Sequence, residues 1–420
     1  MKGSPPHSNG AAPLHWQQNG GKALLSITIS DPEKHGSSSS LTNAFVDFKI
    51  ETRTELPQFC AKEFFVRRRY RDFVWLRQRL CTAFPGAIVP PLPEPDSLLK
   101  DDRFSSAFIQ RRQAGLQLFL RRVASHSALA RGADLQTFLE ASEQTLESWK
   151  ESSKQVKVPS AASVLTDVKS GLLSSYTRGF SMLGGEAPPA FKPVQDVPCQ
   201  QMGNYAAALE TQITAVHKHS KKYIERHRSL ASSMTGFGLS LTQLANCESE
   251  INGSLAKALS QMGLCVDRLS NLYTEQASKE NEAFEEPMRD YIRMLAQCKQ
   301  AIAARDGALG AWNAASAALL TKRDRLERAK EDKAAALRAE VQEEEKNVAY
   351  CKAEYEKVAA VVDAEMARFQ REKLADFKQM VVNFVTIQLE CSQRIQATWQ
   401  GLLPQLEAIE PPPPPAPNLD

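Results

Sequence analysis

VRRRYRDF, residues 66–73, stands where an alternating apolar run gives way to a helical one. Its reading decides the N-terminal fold. Upstream, EFFVRRRY alternates and is rich in aromatic residues, which predicts a strand. ALLSITIS and AFVDFKIET follow the same rule, so three strands are expected. Downstream, RDFVWLRQRLCTAF puts Phe73, Leu76 and Leu80 on one helical face until Pro85 and Gly86 stop it. A proline-rich loop, IVPPLPEP, comes next. A helix over about 103–124 then carries Phe104, Phe108, Leu116, Phe119 and Val123 on one stripe, and DLQTFLEA closes the unit as a short helix. A small sheet followed by helices is an α+β unit.

The remainder is different in kind. Residues 141–200 are a connector holding SVLTDVKSGLLSSYTRGFSML, whose Val164, Val168, Leu172, Tyr176, Phe180 and Leu183 recur at helical spacing beside Leu165 and Leu173. That predicts an amphipathic helix over 163–183 with a weakly charged polar face. From 200 to 405 the pattern is helical almost throughout. The first stripe runs through Tyr205, Leu209, Ile213, Val216, Tyr223, Leu230, Met234, Phe237, Leu241 and Leu244, with Ser220 and His227 as polar intrusions. A second helix starts near Ser254 and runs past Pro287, which should kink it. The third carries Val341, Val348, Tyr355, Val362, Phe369 and on to Leu402. At about 1.5 Å per residue these helices are each about 70–110 Å long, so an elongated three-helix coiled-coil bundle is expected.

Composition removes other classes. With 52 basic and 49 acidic residues the net charge is +3, which argues against bulk binding to nucleic acid. The eight cysteines are scattered, with no CxxC and no Cys/His ligand spacing, so no metal is expected and a reducing compartment fits best. No run reaches the about 18 apolar residues of a membrane span. No HExxH, GxSxG or P-loop occurs, so neither catalysis nor a cofactor is expected. GFGLSL at 236–241 follows no strand and reads as part of a helix stripe. His217, His219 and His227 read as a solvated face. The first 22 residues read as a disordered leader, and PPPPPAP near the end as polyproline II.

The basic groups carry the functional question. Arg67 and Arg69 fall on one face of a strand, with Arg68 opposite. A guanidinium fork suits a phosphate, and Tyr70 adds a flat ring. Arg112 falls four residues after Phe108 and four before Leu116, on an apolar stripe, where it needs an anionic partner or a wet pocket. Ion pairs to the domain's own acids, such as Asp72 or Glu63, explain the cluster equally well on spacing alone. KRDRLERAKEDK, 322–333, adds Lys322, Arg323, Arg325, Arg328, Lys330 and Lys333 at a helix turn. It reads either as a solvated face of i,i+4 pairs or as a contact with anionic lipid.

RRRYRDFVWLRQRL, then VPPLPE, then FIQRRQAGLQLFLRRV resembles the PX domain of sorting nexins. The following helices resemble a BAR domain, and FQREKLADFKQMV, 369–381, is similar to the last BAR helix of the retromer-associated sorting nexins. The resemblance implies that Arg69 binds the 3-phosphate of phosphatidylinositol 3-phosphate, that Tyr70 stacks on the inositol, and that Arg112 binds its hydroxyls. Pro95 stands where the family usually has a lysine; Lys100 and Arg103 are the candidate replacements. Leu98 and Leu99 are candidates for dipping into the bilayer, as are Leu172, Leu173, Tyr176 and Phe180 of a wedge helix. The implied layout is a leader 1–22, a PX domain 23–145, a linker 146–199, a BAR domain 200–405 and a tail 406–420. The implied partners are anionic membranes, a second BAR chain in a homodimer or heterodimer, retromer and cargo tails. The implied place is the cytoplasm and the cytosolic face of endosomes.

Overall fold

The computed structural model describes residues 24–36, 44–93, 104–155 and 191–409. The expected wedge helix, the residues 95–103 and the leader lie outside them, and so does the polyproline tract. The chain divides into two compact units. One holds the N-terminal elements up to Ala207 together with Arg293–Arg368; the other holds Ala208–Ile292 with the chain from Phe369 onward.

In the first unit, β1 (Leu25–His35), β2 (Phe45–Thr54) and β3 (Glu63–Arg69) pair antiparallel in the order β1-β2-β3. Ile29 lies opposite Ile50, and Ile50 opposite Val66, so one face is apolar. That face packs on α1 (Tyr70–Ala83) and α2 (Ser106–Ser125). Phe73, Leu76 and Leu80 are fully buried, as the spacing predicts. Each such side chain contributes about 1.5–3 kcal/mol. A 3-10 turn (Leu129–Arg131), α3 (Ala133–Glu140) and α4 (Glu143–Gln155) follow.

Two expectations about α2 need correction. The helix begins at Ser106, because the Ser105 hydroxyl accepts the Phe108 N–H and caps it there. Phe104 therefore precedes the helix. The buried stripe is Ile109, Leu116, Phe119, Leu120 and Val123, with Phe108 only half-buried at its edge. The same helix protects the free edge of β1. Gln117 accepts the Ile29 N–H at 2.6 Å and donates to Ile27 O, while Gln113 donates to Ile29 O. Side-chain amides thus complete the ladder that a fourth strand would otherwise complete.

The proline-rich loop is a structural element. Ile88, Val89, Pro90 and Pro91 are buried, and Gly115 of α2 passes so close that a Cβ there would stand 2.8 Å from Pro93 Cβ. The loop also meets the helices of the same unit. Glu365, on α8 (Glu331–Glu407), accepts the Ile88 N–H at 3.0 Å and the His126 Nε2–H at 2.8 Å. His126 Nδ1 accepts the Ala128 and Leu129 amides, which leaves Nε2 as the donor. Burial alone would raise the Glu365 carboxyl; hydrogen bonds from His126 and Arg368 overrule it and hold it at about 2. Nearby, Asp196 caps the start of α5 (Val197–Glu248) through the Cys199 N–H and also receives Arg305 and the Tyr355 hydroxyl.

In the second unit, α5 continues against α6 (Gly253–Glu280). Gly238 and Gly263 face each other; a Cβ on Gly263 would stand 2.9 Å from the Thr242 hydroxyl and 3.1 Å from Gly238 O. That close approach accounts for the second glycine of GFGLSL, Gly238. The second run is helical without a break from Gly253 to Glu327, and its irregularity is a π turn rather than a simple kink. A π turn, Asn281–Glu285, separates α6 from α7 (Glu286–Glu327), just ahead of Pro287. Proline has no N–H and crowds the preceding turn, and the wider turn accommodates both.

The first stripe splits in two, and this is the largest correction. Ile213, Ile224, Ala231, Gly238, Leu241 and Ala245 are buried in the unit. Val216, Tyr223, Leu230, Phe237 and Leu244, spaced by seven, are exposed. One of the polar intrusions, His227, turns inward, and so does His217. His227 Nδ1 lies 3.0 Å from Glu280, which is fully buried, and His217 Nε2 lies 2.7 Å from Glu285. Those two histidines are therefore half-buried partners of carboxylates rather than a solvated face; His219 is exposed.

Candidate phosphate-binding site

The three arginines of VRRRYRDF have three environments. Arg68 points into the core and is 2 % exposed. It donates to the carbonyls of Phe138 and Ala141 and lies over the Phe138 ring. Burial lowers its pKa. It serves to join β3 to the end of α3. Arg67 and Arg69 share the opposite face, as strand alternation requires. Arg67 binds Asp47 at 2.7 Å and Glu33 at 3.1 Å.

Among the described residues, Glu33, His35 and Asp47 form a group with the spacing of a metal site. A β-bulge between Ser30 and Glu33, with Asp31 at φ +45°, gathers them. Arg67 bonds both carboxylates of the group, and His35 lies 2.9 Å from Asp47.

Arg69 sits at the strand-to-helix junction. Its N–H is accepted by Asp72 at 2.9 Å, which caps α1. Its guanidinium lies 5.7 Å from the Phe45 ring centroid and 3.0 Å from Glu147 of α4. Lys150, one turn on, bonds both Glu147, at 2.8 Å, and Asp72. The Lys150 hydrogen bond is the main reason the Glu147 carboxyl titrates below its ordinary range. Tyr70 follows Arg69 and donates its hydroxyl to Pro93 O at 2.8 Å, which fixes the ring. Arg112 reaches the same ring from α2. Its guanidinium lies 4.2 Å from the Tyr70 centroid and 4.5 Å from that of Phe108. Such stacking is worth about 0.5–2 kcal/mol and keeps a charge on an otherwise apolar stripe.

The structure thus stacks Arg112 of α2 on Tyr70 of α1, which follows Arg69 of β3 in the chain. Lys100, Arg103, Leu98 and Leu99 lie outside the described residues, as do Leu172, Leu173, Tyr176 and Phe180. Of the basic group at the α7–α8 turn, Lys322 is paired to Glu344, Arg323 to Glu345 and Arg328 to Asp324. Arg325, Lys330 and Lys333 are exposed. Sequence reasoning did not find Phe45, Pro93, Glu147 or Lys150. The Glu147–Lys150 spacing of three is visible in the sequence, but its target on another element is not.

Comparison with known proteins bears on this arrangement. A PX domain profile matches residues 56–142, and the profile described as Vps5 C terminal like matches residues 199–405. Sorting nexin 1 of Arabidopsis thaliana is 32 % identical over 91 % of the chain and 93 % of its own length. The chain belongs to the sorting nexin family. Human sorting nexin-1 is 30 % identical over 92 % of the chain and 72 % of its own length. The cryo-EM structure of the SNX-BAR Mvp1 tetramer covers 90 % of the chain with a TM-score of 0.63 at 14 % identity, and so shares its fold. A sorting nexin with PX and BAR domains is a membrane-trafficking adaptor and not an enzyme. No helix among the described residues is long and apolar enough to cross a membrane.

Proposed function

We propose that this sorting nexin binds phosphatidylinositol 3-phosphate through Arg69, Tyr70 and Arg112. The observation that carries the reading is the stack of Arg112 on Tyr70 beside Arg69. A guanidinium held on a flat ring, with a second arginine next in the chain to that ring, suits a phosphorylated, hydroxylated ring. The PX domain spans 23–145, a linker 146–199, and the BAR domain 200–405. The linker boundary falls inside α4, whose Glu147 and Lys150 turn back onto α1. The BAR helices pair with a second copy or a related chain, and the apolar row Val216, Tyr223, Leu230, Phe237 and Leu244 supports this. The dimer binds curved endosomal membrane at the cytosolic face and shapes tubular carriers, with retromer and cargo tails as partners. Arg325, Lys330 and Lys333 add contacts to anionic lipid, and several weak contacts on one dimer multiply.

Sedimentation with vesicles containing or lacking the 3-phosphoinositide, with electron microscopy of the pellets, tests the reading. Arg69→Ala should abolish lipid-selective recruitment and leave the dimer intact. Equal recruitment of wild type and variant, or binding that ignores the lipid without tubules, refutes it. The latter result would favour a cytosolic scaffold.

A further inference from the structure

The pocket arginine already has an anion. Around Arg69 stand two cations, Arg69 and Lys150, and two carboxylates, Asp72 and Glu147. The group is neutral as it stands. A phosphate monoester carries about −1.5 to −2 at neutral pH, and its oxygens compete with these carboxylates for the Arg69 N–H groups.

The two carboxylates are not equivalent. The Asp72 side chain is 8 % exposed and also accepts the Arg69 N–H, so it is committed to the fold. The Glu147 side chain is 44 % exposed and sits on α4, after the matched PX segment ends at residue 142. Its bond to Arg69 at 3.0 Å occupies an N–H that a phosphate oxygen would take. We infer that Glu147 is a resident counter-anion, placed by the linker helix α4, which a phosphate monoester must displace from Arg69. The linker thereby sets the affinity of the pocket. Lys150 retains the Asp72 carboxylate when Glu147 swings out, so α4 need not unfold. An exposed contact of this kind is weak, which makes it displaceable.

This inference rests on the assignment of Arg69 above, and the test separates the two. The full chain is assayed by flotation on phosphatidylcholine vesicles carrying phosphatidylinositol 3-phosphate, and on vesicles with the same fraction of phosphatidylinositol. Calorimetry with a short-chain soluble form separates the head group from the bilayer. Glu147→Gln should tighten 3-phosphate binding in both formats by about two- to fivefold, the range of a surface ion pair. It should leave phosphatidylinositol vesicles unchanged. Glu151→Gln, on the exposed surface of the same helix, should change neither. Arg69→Ala should abolish the gain. Unchanged or weaker 3-phosphate binding by Glu147→Gln, with Arg69→Ala still disabling, overturns the inference and leaves the Arg69 assignment standing. An equal gain on phosphatidylinositol vesicles also overturns it, as bulk charge. No effect of Arg69→Ala in either background overturns the assignment itself.

Discussion

Glu365→Ala tests how the PX domain is held to the helices within its unit. Three donors converge on that carboxylate: the Ile88 N–H, His126 Nε2–H and Arg368. Ile88 is 2 % exposed and His126 6 %, so truncation strands two donors where water does not reach. A stranded buried donor costs about 1–3 kcal/mol, and a total of about 3 kcal/mol is expected. At about 1.4 kcal/mol per tenfold, local opening should become about 150-fold easier. The assay is native-state hydrogen exchange at the Ala128 and Leu129 amides. They are bonded to the far side of the His126 ring and are not touched by the substitution. Glu365→Gln should not rescue, because every neighbour is a donor and the amide brings a further one. Wild-type protection at Ala128 and Leu129 in Glu365→Ala, or full rescue by glutamine, would refute the reasoning.

The same carboxylate predicts an acid transition. Its folded pKa is depressed to about 2 from the ordinary 4.5. The stabilisation is therefore fully present above about pH 4.5 and is lost as pH falls towards 2, by roughly 3 kcal/mol in all. Denaturant midpoints taken from pH 6 downward should fall over that window in the wild type and stay flatter in Glu365→Ala. For the exposed heptad row, Leu230→Glu should convert the dimer to monomer while helical content and melting of the monomer stay near wild type. Sedimentation equilibrium and circular dichroism read the two quantities, and a persistent dimer would remove the row from the interface.

Periodicity found the elements and their inward faces where one neighbour decides them. Phe73, Leu76 and Leu80 had a single core to face, and alternation alone put Arg68 on one side of the strand and Arg67 and Arg69 on the other. It failed on α5, because a long helix carries more apolar rows than one neighbour can cover. Which row is buried depends on what the facing helix offers. Glycine against glycine and histidine against glutamate won the inner side there, and the row of larger side chains was left outside. The site divides the same way. The sequence by itself determined that Arg69 and Tyr70 are adjacent and that Arg112 lies on an apolar stripe, since spacing along one element is a local property. Only the tertiary structure decided that Arg112 stacks on Tyr70, and that Glu147, 78 residues from Arg69, is its partner. An ion pair or a stack needs side-chain atoms within a few ångströms, and separation along the chain does not encode that distance until sheet and helices have packed.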